Sequence, residues 1–407
     1  MQLSDIAIFV EQSIRSTDIS LYDYVTTDSL LQNREGRVVA TNLPPSPCNL
    51  TLYQPGDILM ANIRPYLKKV WMADTTGGCS ADVLVFRAKE NISSKYLYSV
   101  LLQDSFFDYV MLAPKGSKMP RGDKNHIMRF PIFDLPNEDA DKVGDFIWKI
   151  ETKLANNRKQ NAILEKMAKQ IYDYWFVQFD FPDENGRPYK ISGGKMVWNE
   201  KLKREIPEGW EVKNLIDIAD IVNGATPSTS DETNYGGNIM WITPKDLSDQ
   251  GQKFIFHGAR TISQKGYDSC STSMLPKGSI LMSSRAPIGL FAIAQNEVCT
   301  NQGFKSFVPK DETDGMYLYY YLRQHIKQIE QLGTGTTFKE VSRDDLKKFP
   351  ILYVTDRNTY LQWVEKLRPM FGLQAKLQEE SEDLQSLRSY LLPLLMTGQA
   401  KLKKDDN

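Results

Sequence analysis

The chain has 407 residues, a formal net charge of −1, 41% hydrophobic residues and 25% charged residues. That length allows two or more domains with sizeable cores, and the balance is that of an ordinary globular protein. The near-zero charge excludes a global basic field for nucleic acid, so any such binding must come from local patches.

The four cysteines lie far apart with no Cys-x-x-Cys pair, which argues against a zinc ribbon or a disulfide framework. No secretory leader pattern opens the chain and no apolar run reaches membrane-spanning length. The expected setting is a reducing cytoplasm, with no membrane partner.

In chain order, strands are predicted at 58–60, 69–72 and 83–87, broken by Gly and Pro, and a helical pattern follows over 96–110. Residues 139–177 then predict one long helix. Ile147, Ile150, Leu154, Asn157, Asn161, Leu164, Ala168 and Ile171 alternate spacings of three and four, a heptad seam. No Pro or Gly interrupts it after Gly144. At its full length it would run ~50 Å, too long to be buried inside a small domain, so it must join parts or pair with a partner.

Residues 179–206 are polar, with turn signals at Pro182 to Pro188 and at Gly193-Gly194, and read as a linker. Strands are predicted again at 280–282, 289–294 and 305–308, with helix over 316–331. A second long helix is predicted over 362–395, its seam running through Met370, Leu373, Leu377, Glu380, Leu384, Leu387, Leu391 and Leu394. Each position is the first seam plus 223. The pairing residues expected are Ile150, Leu154, Asn157, Asn161, Leu164, Ile171, Leu377, Leu384, Leu387 and Leu391. Asn157, Asn161 and Glu380 are polar within the seam; they either fix register or mark a solvated stretch of an imperfect coiled coil. The tail after Gly398 is short and charged and is expected to fray.

The repeat extends beyond the helices. Leu3-Ser-Asp-Ile-Ala-Ile-Phe-Val10 and Leu215-Ile-Asp-Ile-Ala-Asp-Ile-Val222 agree at five of eight positions. Gly56 to Pro65 resembles Gly278 to Pro287, Cys48 and Cys79 fall opposite Cys270 and Cys299, and Gly116 to Ile132 matches Gly335 to Ile351. The offsets stay between 212 and 223. The plan is therefore globule, long helix, linker, globule, long helix.

The loops carry the polar chemistry. Residues 114–129 hold five basic residues and one acid among two glycines and two prolines, with Asn62, Arg64, Tyr66, Lys68 and Lys69 nearby in the pattern. Lys115, Ser117, Lys118, Arg121 and Lys124 of this loop suit phosphate contacts, and Arg and Asn suit base edges in the major groove. An ordinary solvated lysine-rich loop would read the same way. In the second copy the candidate contacts are Thr226, Ser228, Thr229, Lys245, Ser284, Arg285, Asn301, Gln302, Thr334, Thr336, Thr337 and Lys339, with 333–340 as the matching loop. The loop at 333–340 resembles a phosphate-binding loop only faintly, since it lacks the Gly-Lys-Ser/Thr ending. No catalytic residues and no metal ligands are expected. The three histidines, His126, His257 and His325, sit in no triad or metal spacing, and Asp183, Glu184 and Lys190 lack the strand context of a nuclease.

At these residues a resemblance emerges. Ile206-Pro-Glu-Gly-Trp210, Gly224 to Ser230 and Trp241 to Leu247 look like the opening of a target recognition domain. Asn62 to Tyr66, Gly77 to Ser80 and Lys118 to Lys124 look like a second type of such domain. Tyr174-Trp-Phe-Val177 through Pro182, and Leu387 to Gly398, look like the ends of the two helical regions. In this order they resemble the specificity subunit of type I restriction–modification systems over essentially the whole chain. One departure is that the chain starts at the Leu-x-Asp-Ile-Ala element without the Pro-x-Gly-Trp lead-in of the second copy. The first domain is then abbreviated, or its lead-in comes from the C-terminal tail.

The resemblance implies an α+β fold: two similar mixed α/β target recognition domains separated by two long antiparallel coiled-coil helices, with an internal pseudo-two-fold repeat. The expected boundaries are 1–138 and 207–356 for the recognition domains, 139–178 and 357–398 for the helices, 179–206 for the linker and 399–407 for the tail. It implies a non-catalytic, sequence-specific DNA-binding subunit in anti-phage defence. Each domain would read one half of a bipartite target in double-stranded DNA, and the helices would set the gap. The implied partners are two modification subunits that bind S-adenosylmethionine and methylate adenine at N6, and two restriction subunits that use ATP and Mg²⁺. No cofactor is expected on this chain. The competing readings are a self-contained DNA methyltransferase or nuclease, against which the missing cofactor fingerprint argues, and an assembly scaffold that binds no DNA.

Overall fold

The run Ile58-Leu-Met-Ala61 is apolar throughout and every residue of it is buried, so both faces of its strand must be covered. The computed structural model shows how. It describes residues 1–113, 119–334 and 339–403, in two units: Met1–Lys159 with Glu380–Asn407, and Gln160–Glu379.

The first unit contains β1 (Ala7–Phe9), β2 (Ser13–Arg15), β3 (Tyr24–Val25), β4 (Asn49–Tyr53), β5 (Ile58–Ala61), β6 (Val70–Met72), β7 (Gly77–Cys79) and β8 (Val83–Ala88). They form two sheets, ordered β1-β8-β5-β6 and β2-β4-β7-β3. Ile58, Met60, Leu84 and Phe86 face one core. Leu59, Ala61, Val83 and Val85 face another, shared with Val25, Tyr53 and Cys79 of the second sheet. The period of two in side-chain direction thus divides an unbroken apolar run between two cores. The helices are α1 (Leu3–Ile6), α2 (Ser94–Leu102), α3 (Asp104–Val110), α4 (Lys124–Ile127) and α5 (Asn137–Tyr172). The helical pattern over 96–110 is divided at Gln103, whose φ and ψ of −64° and 143° are extended.

The second unit contains β9 (Met196–Asn199), β10 (Arg204–Pro207), β11 (Glu211–Asn214), β12 (Ala219–Asn223), β13 (Tyr235–Ile242), β14 (Phe254–Ile255), β15 (Arg260–Ile262), β16 (Ile280–Ser283), β17 (Phe291–Ala294), β18 (Cys299–Thr300), β19 (Phe304–Pro309) and β20 (Pro350–Tyr353). Its main sheet is ordered β12-β19-β16-β17-β14 and a smaller one β15-β13-β18. Its helices are α6 (Leu215–Ile218), α7 (Pro244–Gln250), α8 (Gln264–Asp268), α9 (Asp314–Gln324), α10 (Ile326–Leu332), α11 (Arg343–Lys347) and α12 (Arg357–Met396).

Matching hydrogen bonds mark the repeat inside each unit. Leu3 N–H donates to Phe130 O, as Leu215 N–H does to Phe349 O; Lys89 donates to Ile6 as Lys310 does to Ile218. Gly56 and Gly278 both sit at φ +88°, a left-handed turn suited to glycine. Both units are mixed α/β.

Each unit packs a segment of α5 on a segment of α12. In the first, Glu151 meets Arg388 at 2.6 Å, and Asn157 donates to Glu380 at 2.9 Å. In the second, Gln374 donates to Glu165 at 3.3 Å, and the rings of Tyr172 and Trp363 lie 6.4 Å apart. Rising numbers on α5 meet falling numbers on α12, so each pairing is antiparallel.

On α5 the buried line includes Ile147, Ile150, Leu154, Asn157 and Ala168; Asn161, Leu164 and Ile171 are half-buried. On α12 the buried line is Tyr360, Val364, Leu367, Phe371, Gln374, Gln378, Ser381, Arg388, Leu392 and Leu395. That line lies one position round from the leucine seam expected there. Leu377 is buried, Leu384 and Leu391 are half-buried, and Leu387 is 43% exposed, so Leu387 is not a buried pairing residue. The reason is that Gln374, Gln378, Ser381 and Arg388 are buried with hydrogen-bond partners, and an apolar pattern does not find them.

The stretch over 179–206 is more than a polar connector. Phe179, Phe181 and Ile206 are buried in the core of the second unit. Phe181 stacks on Tyr189 and Trp210 at 4.7 and 5.0 Å, and β9 pairs with β10. In the same unit β11 pairs with β20. In the first unit the corresponding edge carries the Gln2–Pro131 bridge and the Met1 ammonium on Ile132 O. The C-terminal residues Gly398, Ala400 and Leu402 line a small cavity with Leu135 and Asp139.

Helix α5 passes tightly against α2 at Gly144, where an added Cβ would lie 2.6 Å from Tyr96 N. In a free helix Gly→Ala would stabilise by about 1 kcal/mol. Here the clash with backbone dominates, and Gly144→Ala should lower stability by roughly 1–3 kcal/mol, read from the urea midpoint by circular dichroism.

Candidate nucleic-acid interface

In the second unit, β16 ends at Ser283 where β19 begins at Phe304, and β13 and β18 end side by side in parallel register. The loops leaving these strand ends gather there. Ser284 N–H donates to Gly303 O, Asn301 N–H to Ile242 O, Ala225 N–H to Thr300 O and Val341 N–H to Ser284 O. A Cβ on Gly224 would lie 2.0 Å from Asn301 O, so the loop over 224–230 can run this close only with glycine there.

The predicted residues take different roles at this site. Thr226 donates its hydroxyl to the Gln302 amide oxygen. Ser228, Thr229 and Lys245 are exposed, and Ser228 pairs with Ser230 at 2.8 Å. Thr334 and Lys339 are exposed at the same loop cluster, and Thr334 bridges Glu340. Ser284 is fully buried with its hydroxyl on Gly303 O, so it supports the loops and cannot reach a ligand. The Asn301 side chain accepts from Gly303 N–H at 2.9 Å, a second supporting role. Arg285 is paired with Glu340 at 2.9 Å. Glu340 also holds Lys305 at 3.1 Å. Burial pushes the Glu340 carboxyl upward, but these two cations outweigh it and hold it below the usual range. Lys305 reads in sequence as an ordinary strand residue, and only the fold brings it to this cluster.

The first unit repeats the arrangement. Asn62 N–H donates to Asp82 O and Gly122 N–H to Asn62 O, the counterparts of the Ser284 bonds. Arg64, Tyr66 and Arg121 are exposed here, with Arg121 3.1 Å from Asp82. Lys124 opens α4, with its ammonium 5.6 Å from the Phe9 ring. Three predicted contacts are held within the chain. The Asn62 amide oxygen is buried. Lys68 is bonded to Asp104, together with Arg34. Lys69 donates to Thr27 O at 2.6 Å, and its burial lowers its pKa. Lys115, Ser117, Lys118, Thr336 and Thr337 lie outside the described residues.

Sequence patterning gave no sign of how the second globule is held on its helices. Lys253, only 9% exposed at its side chain, meets Glu165 at 2.8 Å, Gln374 and the Tyr320 hydroxyl at 3.0 Å, and the Phe371 ring at 3.4 Å. Gln378 beside it donates to Phe254 O at 2.6 Å and accepts from Phe254 N–H at 3.2 Å. Among the described residues no group of three His, Cys, Asp or Glu side chains is arranged to hold a metal ion, and no helix is long and apolar enough to cross a membrane.

Residues 207–358 match the family Methylase_S, the type I restriction modification DNA specificity domain. Over 436 residues the chain is 22% identical to the type I restriction enzyme HindI specificity subunit of Haemophilus influenzae, covering 92% of this chain and 94% of the relative. The chain is thus similar to type I restriction–modification specificity subunits. Another such subunit, MjaIX of Methanocaldococcus jannaschii, is 41% identical over 165 residues, but that match spans only 38% of the relative. Among solved structures, the type I restriction-modification system S subunit from M. genitalium aligns with a TM-score of 0.61 at 13% identity, over 97% of this chain and 95% of that one. At that identity the likeness is one of fold.

Burial pulls the Lys253 ammonium down to about 8, against the upward pull of Glu165. Its folded value lies below its unfolded value near 10.5, so between these two pH values the unfolded chain holds the extra proton. Stability from this group therefore rises with pH across that window. Relative to Lys253→Met, the wild type should gain stability from pH 8 to 10.5, measured by urea unfolding at a series of pH values.

Proposed function

We propose that the chain is the DNA-reading, non-catalytic specificity subunit of a type I restriction–modification complex. Each unit reads one half of a bipartite target in double-stranded DNA through its loop cluster, and the helix pair sets the gap. The observation that carries this reading is the same frame built twice, with corresponding backbone bonds at Asn62 and Ser284, under loops whose side chains differ. Common frames hold the loops alike, and unlike loops read unlike sequences. Arg121 and Arg64 in one unit, and Thr229, Lys245 and Gln302 in the other, are exposed at those clusters and suit base edges and phosphates.

In this role the helices dock two modification subunits, which supply S-adenosylmethionine and methylate adenine at N6 after the base leaves the stack. Two restriction subunits supply ATP- and Mg²⁺-dependent translocation and cleavage. The chain's own residues bind and orient the DNA and perform no chemistry. Its setting is the cytoplasm, where its target lies.

Methylome sequencing of a host carrying the modification subunit, with and without this chain, tests the proposal. The expected result is a bipartite motif with N6-methyladenine in both halves that disappears on deletion. Exchange of residues 1–138 for another recognition domain should change one half-site and leave the other. A change in both, or in neither, would defeat the modular reading. Arg121→Ala should weaken specific binding, losing about 1–3 kcal/mol of discrimination if the arginine meets a base. If it meets phosphate, the loss should instead be uniform across sequences, with a shallower salt dependence.

A further inference from the structure

The polar residues in the helix seam are distributed unequally between the two long helices. In the first unit Glu151 of α5 faces Arg388 of α12, with side chains 5% and 8% exposed. In the second unit Glu165 of α5 faces Gln374 of α12 and receives Lys253 from the adjoining globule. The repeat offset of 223, the separation of the contacting pair Asn157 and Glu380, relates these layers. Subtracting it from 388 gives 165, and subtracting it from 374 gives 151. The two layers are therefore the same layer seen from the two copies. At it, α5 supplies an acid both times, and α12 supplies a cation once and an amide once.

We propose that this asymmetry is a pairing code: the buried layers admit α5 against α12 and reject either helix against the same helix of a second copy. Without the charges, two helices that repeat each other along one seam would pair homotypically with similar packing. With them, placing α5 of a second copy in the α12 position sets Glu165 of that copy against Glu151, twice per pair. Placing α12 of a second copy in the α5 position puts its Arg388 where Glu165 stood, beside Lys253 and near Arg323, with no carboxylate at the layer. The same exchange sets Glu380 against Glu380 at the centre of the seam. Like charges set face to face are disfavoured, most strongly at the buried Glu151 layer, and a polar residue at a core position of paired helices specifies partner and register at a cost in stability. Only α5 against α12 balances every layer: Glu151 with Arg388, Glu380 with Asn157 and Lys153, and Glu165 with Lys253. Arg34 also lies within electrostatic reach of the first layer, but it is bonded to Asp104 and is common to the pairings that involve this globule.

The code predicts that two variants which break the same bond will behave differently. Glu151→Arg and Arg388→Glu each set like charges face to face within the chain. Glu151→Arg also turns the homotypic α5 layers into cation–carboxylate pairs. Arg388→Glu leaves those layers as two carboxylates, and although it would place a carboxylate beside Lys253 in an α12 pairing, Glu380 still opposes Glu380 there. Full-length wild type and both variants are compared by light scattering on a size-exclusion column over a range of concentrations, without DNA or other subunits. The wild type and Arg388→Glu should run as monomers, whereas the apparent mass of Glu151→Arg should rise towards twice that value with concentration. The reversed pair, Glu151→Arg with Arg388→Glu, should recover the thermal stability lost by either single variant. Should either reversal be unfolded by circular dichroism, Glu151→Gln and Arg388→Gln carry the same asymmetry more mildly. Equal behaviour of the two single variants, or a wild type already dimeric through α5, would overturn the proposal. Because the readout is mass, failure here is separate from failure of the DNA-reading role, on which the inference does not rest.

Discussion

The constraint behind the whole chain is that a helix of 36 or 40 residues cannot satisfy its inner stripe alone. Each long helix needs a partner over its length, and the partner is the other helix, met in antiparallel sense within each unit. The two segments of each helix also form part of the core of the globule beside them: Ile147 and Leu395 in one, Tyr172 and Trp363 in the other. Each unit is thus completed by residues from distant parts of the chain, and neither half of the sequence contains the whole of its own core.

The polar seam is costly compared with an apolar one. A buried ion pair such as Glu151–Arg388 contributes little net stability over well-packed apolar residues, yet removing one partner leaves the other charge unpaired in the interior. Such groups contribute most to the uniqueness of an arrangement. The Lys253 network does the same for the second globule, binding β14, α9 and both long helices at one point.

Much of the frame was legible in the sequence because its signals are local and periodic. The central strand at 58–61 is an unbroken apolar run and its counterpart opens with Ile280-Leu-Met282, and the internal repeat shows the frame twice. The seam of α5 was legible for the same reason. That of α12 was misplaced by one position because leucines pointed to Leu387, while the buried line runs through Gln374, Gln378, Ser381 and Arg388. Their burial depends on partners such as Phe254 and Glu151, far away in sequence. The stretch over 179–206 was masked by its polar composition, although four aromatic residues, Phe179, Phe181, Tyr189 and Trp210, anchor it. At the candidate interface the loops were identifiable from Gly, Pro and basic residues. Which side chains face outward was not, because Ser284, Asn62 and Lys69 differ from their exposed neighbours only in three-dimensional context.

Gln378 has one more consequence. Strand β14 is the last in its sheet, and the outer backbone groups of Phe254 would otherwise form an open edge. The side-chain amide of Gln378 takes both the N–H and the C=O, as a neighbouring strand would. An edge closed in this way offers no template for strand addition by another chain. The helix therefore also protects the molecule against edge-to-edge aggregation, a safeguard supplied by one amide at the point where sheet meets helix.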